Sequence, residues 1–298
     1  MKPDAARVCI ILVNWNGWQD TLACVESCRT LSYPNFEMVV IDNGSTDDSV
    51  ARIRKRFPDV RIITAGANLG FAGGNNLGIT WALERGASYV WLLNNDTVVE
   101  ETSLSALVEA LERNPSAGIV GSKIYFFDRP ATLWFAGGFV SPSRGWTYHR
   151  GEGERDNGQY DSEEDIDYAT GASLLVRREA VEQIGPMSED YFLYWEETDW
   201  CERARQAGWR VVYVPTSRIW HKVGASIADD RSHLRARYEG RNRVLFYQRN
   251  RPRETARVAG FALASALSLM LRGRPQSGLS LARGVFDAFS HRIGAIHS

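Results

Sequence analysis

The apolar residues of this chain fall into short unbroken runs, each stopped abruptly by polar side chains and separated from the next by an amphipathic stretch. Runs over 8–14, 37–42, 60–64, 89–93 and 117–125 are rich in β-branched residues and read as strands. Between them, 15–31, 47–57, 74–84 and 101–113 carry helical spacing. Strands alternating with helices of this length predict right-handed βαβ units. The expectation is therefore an α/β fold with a mostly parallel sheet covered by helices on both faces.

The alternation stops over 131–168, where Gly, Trp, Tyr and acidic residues take over. Within that stretch, 152–167 holds eight acids against Arg155 alone, and reads as a mobile solvent loop rather than a site. Order resumes with a strand entering a helix from Ala169 through Arg178. A helix from about Glu196 follows within 191–208, and then a strand over 209–214. No internal repeat interrupts the order.

Length and charge narrow the function classes. At 298 residues the chain can bury a full core, and its net charge of −1 argues against a general nucleic-acid binder. The charge is uneven: after Asn250 come seven arginines against Glu254 and Asp287, so the tail is basic. Cys9, Cys24, Cys28 and Cys201 form no CxxC pair, and the N-terminus runs into the first strand without a signal-peptide core. Reduced thiols in a cytoplasmic protein are expected.

The ends of the strands carry the chemistry. The first ends in Asn14-Trp-Asn-Gly, the second in Asp42-Asn-Gly-Ser-Thr-Asp, and the fourth in Asn94, Asn95 and Asp96. In an open α/β sheet, ligands bind outside the carboxyl ends of the strands, where a hard oxygen ligand can hold a divalent cation on a bound diphosphate. A carboxylate there can accept the imide N–H of a uracil or thymine ring, and Asn can read its carbonyls. Helix-capping turns would explain Ser45 to Asp48, but not the polarity of adjacent strand ends. Asn68-Leu-Gly-Phe-Ala-Gly-Gly-Asn-Asn-Leu-Gly follows the third strand, and glycine there permits close backbone approach to a phosphate or ribose. Neither GxGxxG nor GxxxxGK[ST] is present, which weighs against nicotinamide and P-loop sites. Glu196, Glu197 and Asp199 stand at a helix start, where acids also suit the helix dipole. Asp199 is placed to pair with Arg203, and Tyr194, Trp195 and Trp200 can raise a neighbouring carboxylate's pKa.

Taken together, these motifs resemble a family 2 glycosyltransferase of the GT-A fold, in its bacterial rhamnosyltransferase-like branch. The resemblance covers about 8–252 and rests on five motifs in order. They are the Asp42 turn, the Asn68 to Gly78 glycine loop, Asn94-Asn95-Asp96 as the DxD-type element, Trp195 to Asp199 as the "ED" element, and His221. It implies a glycosyltransferase domain over 1–250, with a nucleotide-sugar half to about 125 and an acceptor half from about 126, and a helical tail over 251–298. It further implies that Asn14, Asp42, Asn68, Gly74, Asn75, Asn95 and Arg241 contact the nucleotide sugar. Asp96 and His221 would hold Mg²⁺ or Mn²⁺, Thr170, Gly171 and Trp195 would wall the acceptor side, and Glu197 would be the base of an inverting displacement. Arg241 and Asn242, in Tyr-Glu-Gly-Arg-Asn-Arg, match an "RN" pattern of the family, in which Arg241 either touches diphosphate or holds its helix. Two departures stand out: Asn94 replaces the first Asp of DxD, and Glu197 stands where Asp is usual.

The implied donor is a nucleoside-diphosphate sugar, dTDP-rhamnose first and a UDP-hexose second, and the implied acceptor is a glycan or lipid-linked glycan in bacterial surface polysaccharide synthesis. A binding module that has lost turnover would draw on the two departures, but Asp96 and His221 argue against it. A nucleotidyltransferase would need a basic first loop, and 14–20 has no Lys or Arg. In the tail, 258–271 is fourteen uncharged residues between Arg257 and Arg272, short of the roughly 20 that cross a bilayer. An in-plane helix with arginines on anionic headgroups is expected, peripheral on the inner face of the cytoplasmic membrane. The alternative is packing on the catalytic domain or on a second subunit of a homo-oligomer.

Overall fold

A computed structural model describes residues 5–223, 232–290 and 292–296. The first half alternates as expected: β1 (Val8–Asn14), α1 (Trp18–Cys28), β2 (Phe36–Asp42), α2 (Ser49–Arg56), β3 (Arg61–Thr64), α3 (Gly70–Glu84) and β4 (Tyr89–Asn94). Then come β5 (Thr97–Val99), α4 (Ser103–Arg113) and β6 (Ala117–Phe126). The middle of the chain adds four short strands, β7 (Leu133–Phe135), β8 (Gly138–Val140), β9 (Thr147–His149) and β10 (Glu164–Asp165). It closes with β11 (Ser173–Arg177), α5 (Arg178–Ile184), α6 (Glu196–Gln206) and β12 (Arg210–His221).

The main sheet runs β10-β12-β6-β11-β4-β1-β2-β3, with β5 on β12 and β7 on β6. From the pairings, β3, β2, β1, β4, β6 and β12 all point the same way, and β11 alone among the long strands opposes its neighbours β4 and β6. Residues on both faces of β1 are fully buried, from Val8 to Leu12, because helices cover both sides. The strand expected over 209–214 continues to His221. It passes Pro215 through a register shift between Val214 and Arg218, where a bulge tolerates a residue without an N–H.

The glycine-rich segment departs from the loop that was expected. It is helical from Gly70, because its later glycines pack α3 on the sheet: a Cβ on Gly74 would lie 2.9 Å from Val13 Cγ1, and one on Gly78 2.5 Å from Ile11 Cγ2. Gly74 thus faces a strand, not a phosphate.

The acidic stretch 152–167 is also not free in solvent. The ammonium of Lys123, fully buried on β6, meets Asp156 at 3.0 Å and Asp161, while Tyr125 donates to Asp156 at 2.6 Å. Arg113, Arg150, Arg210 and Arg205 pair with Glu163, Glu164, Asp165 and Asp167. These acids are the counter-charges of basic residues on β6, α4, α6, β12 and the turn after β9.

Three helices follow: α7 (Ser232–Asn250), α8 (Thr255–Leu271) and α9 (Pro275–Phe289). Backbones of α7 and α9 approach closely through Gly240 and Gly284, whose added Cβ atoms would lie 2.3 Å from Leu281 O and 2.1 Å from Arg237 O. The tail therefore packs on the α/β domain through α7. Its outer face is nonetheless apolar: Phe261, Leu263, Leu267, Met270, Leu271, Leu279, Phe286 and Phe289 are exposed. The four cysteines are free and buried.

Candidate active site

Strand register assembles the site. Asn14 pairs with Asp42 across β1 and β2, Val13 pairs with Asn94 across β1 and β4, and His221 pairs with Thr97 across β12 and β5. One sheet edge thereby gathers Asp42, Asn95, Asp96 and His221. The N–H of Lys222 donates to Asp96 O at 2.9 Å, fixing the corner.

Asp42 is buried with its carboxylate held from two sides: Asn14 Nδ2 donates to one oxygen at 3.2 Å and Ser45 N to the other at 3.3 Å. Asn14 is a support rather than a base reader. It is fully buried, its Nδ2 is used on Asp42 and Ser45, and its Oδ1 accepts from Thr21 at 2.8 Å. Asn95 donates to the same Thr21 hydroxyl at 2.8 Å, so a continuous hydrogen-bond chain links Asp42 to the residue beside Asp96.

On the neighbouring turn, Asn68 is exposed and accepts at 2.9 Å from the N–H of Gly70, the first residue of α3. Asn75 is buried and donates to Phe71 O one turn back, so its amide braces the helix. Sequence reasoning missed Asn43. Buried beside Asp42, it donates to Asn68 and Gly70 O and accepts from Leu69 N, tying the glycine segment to β2. Its only signal was its place within Asp42-Asn-Gly-Ser.

Asp96 Oδ1 lies 3.0 Å from His221 Nε2, and neither that oxygen nor His221 Nδ1 has a hydrogen-bond partner among the described residues. Two donors at right angles on one octahedral ion, each about 2.1 Å from it, stand about 3 Å apart. A carboxylate oxygen and an imidazole left unpartnered at this spacing fit a divalent metal, whose remaining positions would fall to diphosphate and water. Among the described residues, no group of three or more His, Cys, Asp or Glu converges on one point. The His221 ring is held edge-on by Trp134 at 4.5 Å between centroids, and Trp134 meets His149 on β9 at 4.6 Å. Burial pushes His149 down to about 4, so it stands neutral beside this corner.

Of the three acids at the start of α6, Glu197 alone is half-buried rather than buried, and its Oε2 has no hydrogen-bond partner among the described residues. Asp199 is used up: it accepts from Tyr191 and Asn250 and pairs with Arg203 at 2.9 Å. Glu196 is buried, and burial together with the neighbouring Glu197 charge raises its pKa well above the carboxylate range. Burial likewise pushes Glu197 up to about 7, opposed by hydrogen bonds from the backbone of Glu197 itself, Thr198 and Gly171. A carboxylate tuned to that range suits proton abstraction near neutral pH.

The remaining expected residues divide. Gly171 serves the site through its main chain. Its backbone reaches Glu197, and a Cβ would strike the Phe71 ring at 2.5 Å. Thr170 is buried and spends its carbonyl on Ser173 N. Trp195 turns its ring inward against Phe246 and donates to Glu239 on α7 at 3.1 Å, so the ring braces α7 instead of forming an open wall. Arg241 is 1% exposed and donates to the carbonyls of Asp190, Tyr191 and Gly294. It holds chain segments together instead of standing free for a diphosphate.

Residues 9–185 match the glycosyl transferase family 2 profile. The chain is 32% identical over 224 residues to an N-acetylglucosaminyl-diphospho-decaprenol L-rhamnosyltransferase of Mycobacterium tuberculosis, covering 68% of this chain and 72% of that protein. It is 26% identical over 197 residues to the dTDP-rhamnosyl transferase RfbF of Shigella flexneri, covering 65% and 62%. The solved mannosyltransferase PcManGT of Pyrobaculum calidifontis, in complex with GDP-Man and Mn²⁺, superposes with a TM-score of 0.60 at 15% identity, over 97% of this chain and 89% of that one.

Proposed function

Since the chain belongs to glycosyl transferase family 2 and is a glycosyltransferase of the rhamnosyltransferase-like group, we propose that it moves L-rhamnose from dTDP-rhamnose to a lipid-linked glycan acceptor, with inversion at the anomeric carbon. The observation that carries this reading is Glu197, a half-buried acid whose carboxyl is pushed up by burial, in a protein whose sheet edge presents Asp42 and the Asp96–His221 corner. Asp42, immobilised by Asn14 and Ser45, accepts the imide N–H of the thymine. Glu197 takes the acceptor hydroxyl's proton as that oxygen attacks. A Mg²⁺ or Mn²⁺ held by Asp96 and His221 would supply charge neutralisation for the departing nucleoside diphosphate. The rhamnose and the lipid-linked acceptor come from what the two curated relatives are named for; a UDP-hexose is the competing donor. Binding to the native state raises apparent stability, so a thermal-shift panel of nucleotide sugars with Mn²⁺ tests the donor. We expect dTDP-rhamnose to give the largest rise in Tm. A rise with a UDP-hexose and none with dTDP-rhamnose would overturn the donor assignment.

The tail fits the same reading. Pro252–Leu271 is long and apolar enough to cross a membrane by length and composition, yet α8 buries Val258, Ala259, Ala262 and Ala266 against protein. Its other face, continuous with exposed Leu279, Phe286 and Phe289 of α9, lies among Arg253, Arg257, Arg272, Arg274 and Arg283. That arrangement suits the boundary of an anionic bilayer on the cytoplasmic side, where enzyme and lipid-linked acceptor would share one surface. Because α9 is packed into α7, the test keeps the chain whole. Full-length protein should float with phosphatidylglycerol vesicles, and L267E with L271E should abolish flotation. Equal flotation of wild type and variant, or none for either, removes the membrane assignment.

A further inference from the structure

The segment leading into Glu197 is wound in an unusual way. Phe192, Tyr194 and Trp195 have φ of 63°, 69° and 76°, the left-handed region that side chains other than glycine rarely adopt. Such conformations persist only where the surroundings over-determine them. Trp195 immediately precedes the first residue of α6, so this segment sets the angle at which the helix, and with it Glu197, enters the site.

What over-determines it comes from α7 and from the far end of the chain. Asn242, fully buried, donates through one amide nitrogen to Tyr191 O at 3.0 Å, Leu193 O at 2.8 Å and Tyr194 O at 2.8 Å. Arg241 Nε donates to Asn242 Oδ1 at 2.8 Å, which fixes the orientation of that amide. The Arg241 guanidinium also takes Tyr191 O at 2.8 Å and Gly294 O at 2.6 Å. Gly294 N in turn donates to Asp190 O at 2.8 Å, and Ile296 N to the Tyr238 hydroxyl at 2.8 Å. From the donor side, Phe71 N donates to Phe192 O at 2.7 Å, which requires glycine at position 70, where a Cβ would lie 2.2 Å from that oxygen.

We propose that Asn242, oriented by Arg241 and locked by the terminal segment 292–296, is a positioning residue for the transfer reaction, holding the left-handed 192–195 segment so that Glu197 faces the acceptor. The inference rests on the reading of Glu197 as the base. It assigns a task to the Arg-Asn pair that neither substrate contact nor simple helix packing gives it. It also makes the C-terminal helices part of the catalytic apparatus, because the chain must pass through α8 and α9 to bring Gly294 to Arg241. A purely structural amide would do no more than satisfy three carbonyls. What separates the two roles is Glu197's environment, made by Glu196 and Cys201 on α6, Glu239 on α7, Tyr168 ahead of β11 and Tyr194 within the segment. If the segment relaxes, water reaches the carboxylate and its pKa falls toward the ordinary range.

The test is the pH dependence of kcat in full-length Asn242→Ala and Gly294→Pro. The second variant removes the N–H given to Asp190 and cannot adopt the φ of 75° found there, while replacing no side chain of the core. We expect kcat to fall about tenfold or more with donor KM within about twofold, and the acid limb to move to lower pH than the wild type's, near 7. If Asn242→Ala fails to fold, Gly294→Pro decides alone. Wild-type pH profiles in the folded variants, whatever happens to Tm, overturn the proposal. Glu197→Gln run alongside separates the two levels: undiminished transfer there overturns the base assignment itself.

Discussion

Glu197→Gln should reduce transfer by about 10²-fold or more while donor affinity stays near wild type, because the amide keeps the shape of the side chain and loses only its ability to accept a proton. In the wild type, kcat should rise with pH through about 7, where Glu197 ionises. A second readout follows from the same burial. A carboxyl whose folded pKa lies above its unfolded value contributes stability at low pH that is lost as pH rises through the folded value. Glu197→Gln should therefore have a higher Tm than wild type at pH 8, with the difference shrinking toward pH 5. Asp199→Asn should lower Tm instead. Its carboxylate pairs with Arg203 and accepts from Tyr191 and Asn250, so the cost should appear in Tm rather than in chemistry. Initial rates of sugar transfer and thermal melts across pH check all of these. Full loss of transfer in Asp199→Asn with Glu197→Gln still active would assign the base to the wrong acid.

The sequence announced the parts of this site that are contiguous. Asp42 and Asp96 each end an apolar run, and a strand that stops in a carboxylate at the carboxyl edge of an open sheet leaves little freedom about where that carboxylate sits. Glu197 was legible for a similar reason, standing at a helix start among aromatic residues. Roles that depend on contacts far along the chain were not legible. Whether Asn14 reads a base or braces Asp42 depends on whether Thr21 and Ser45 use up its amide, and spacing does not contain that information. Arg241 and Asn242 act on carbonyls about fifty residues earlier, and their pattern gave a family match without a task. The acidic 152–167 stretch misled for the opposite reason. Its composition resembles a solvated loop, but Lys123 is buried on a distant strand and needs counter-charges, so the acids are ordered by a partner that local composition could not show.

Replacing either member of the Asp96–His221 pair should remove metal-dependent donor binding and lower transfer by about 10³-fold, since a divalent ion on the departing diphosphate contributes several kcal/mol of charge stabilisation. The two substitutions differ in what they leave behind. In Asp96→Ala, His221 keeps its backbone pairing with Thr97 and its edge contact with Trp134, so the imidazole remains in place without the carboxylate. In His221→Ala, the Asp96 turn keeps its backbone bond from Lys222, while Trp134 loses one ring neighbour. Each change removes the 3.0 Å contact between Asp96 Oδ1 and His221 Nε2, while Asp96 Oδ1 and His221 Nδ1 have no hydrogen-bond partner among the described residues to lose. Both variants should therefore melt close to wild type without donor and lose the Tm rise that Mn²⁺ with a nucleoside diphosphate gives the parent. Titrating Mn²⁺ into each protein with the diphosphate present, followed by calorimetry and a transfer assay, makes the comparison. Retained Mn²⁺ affinity in either variant would remove that residue from the ligand set. If both retain transfer and it no longer depends on metal, the role assigned to this corner is wrong, and the unpartnered oxygen and nitrogen need another occupant.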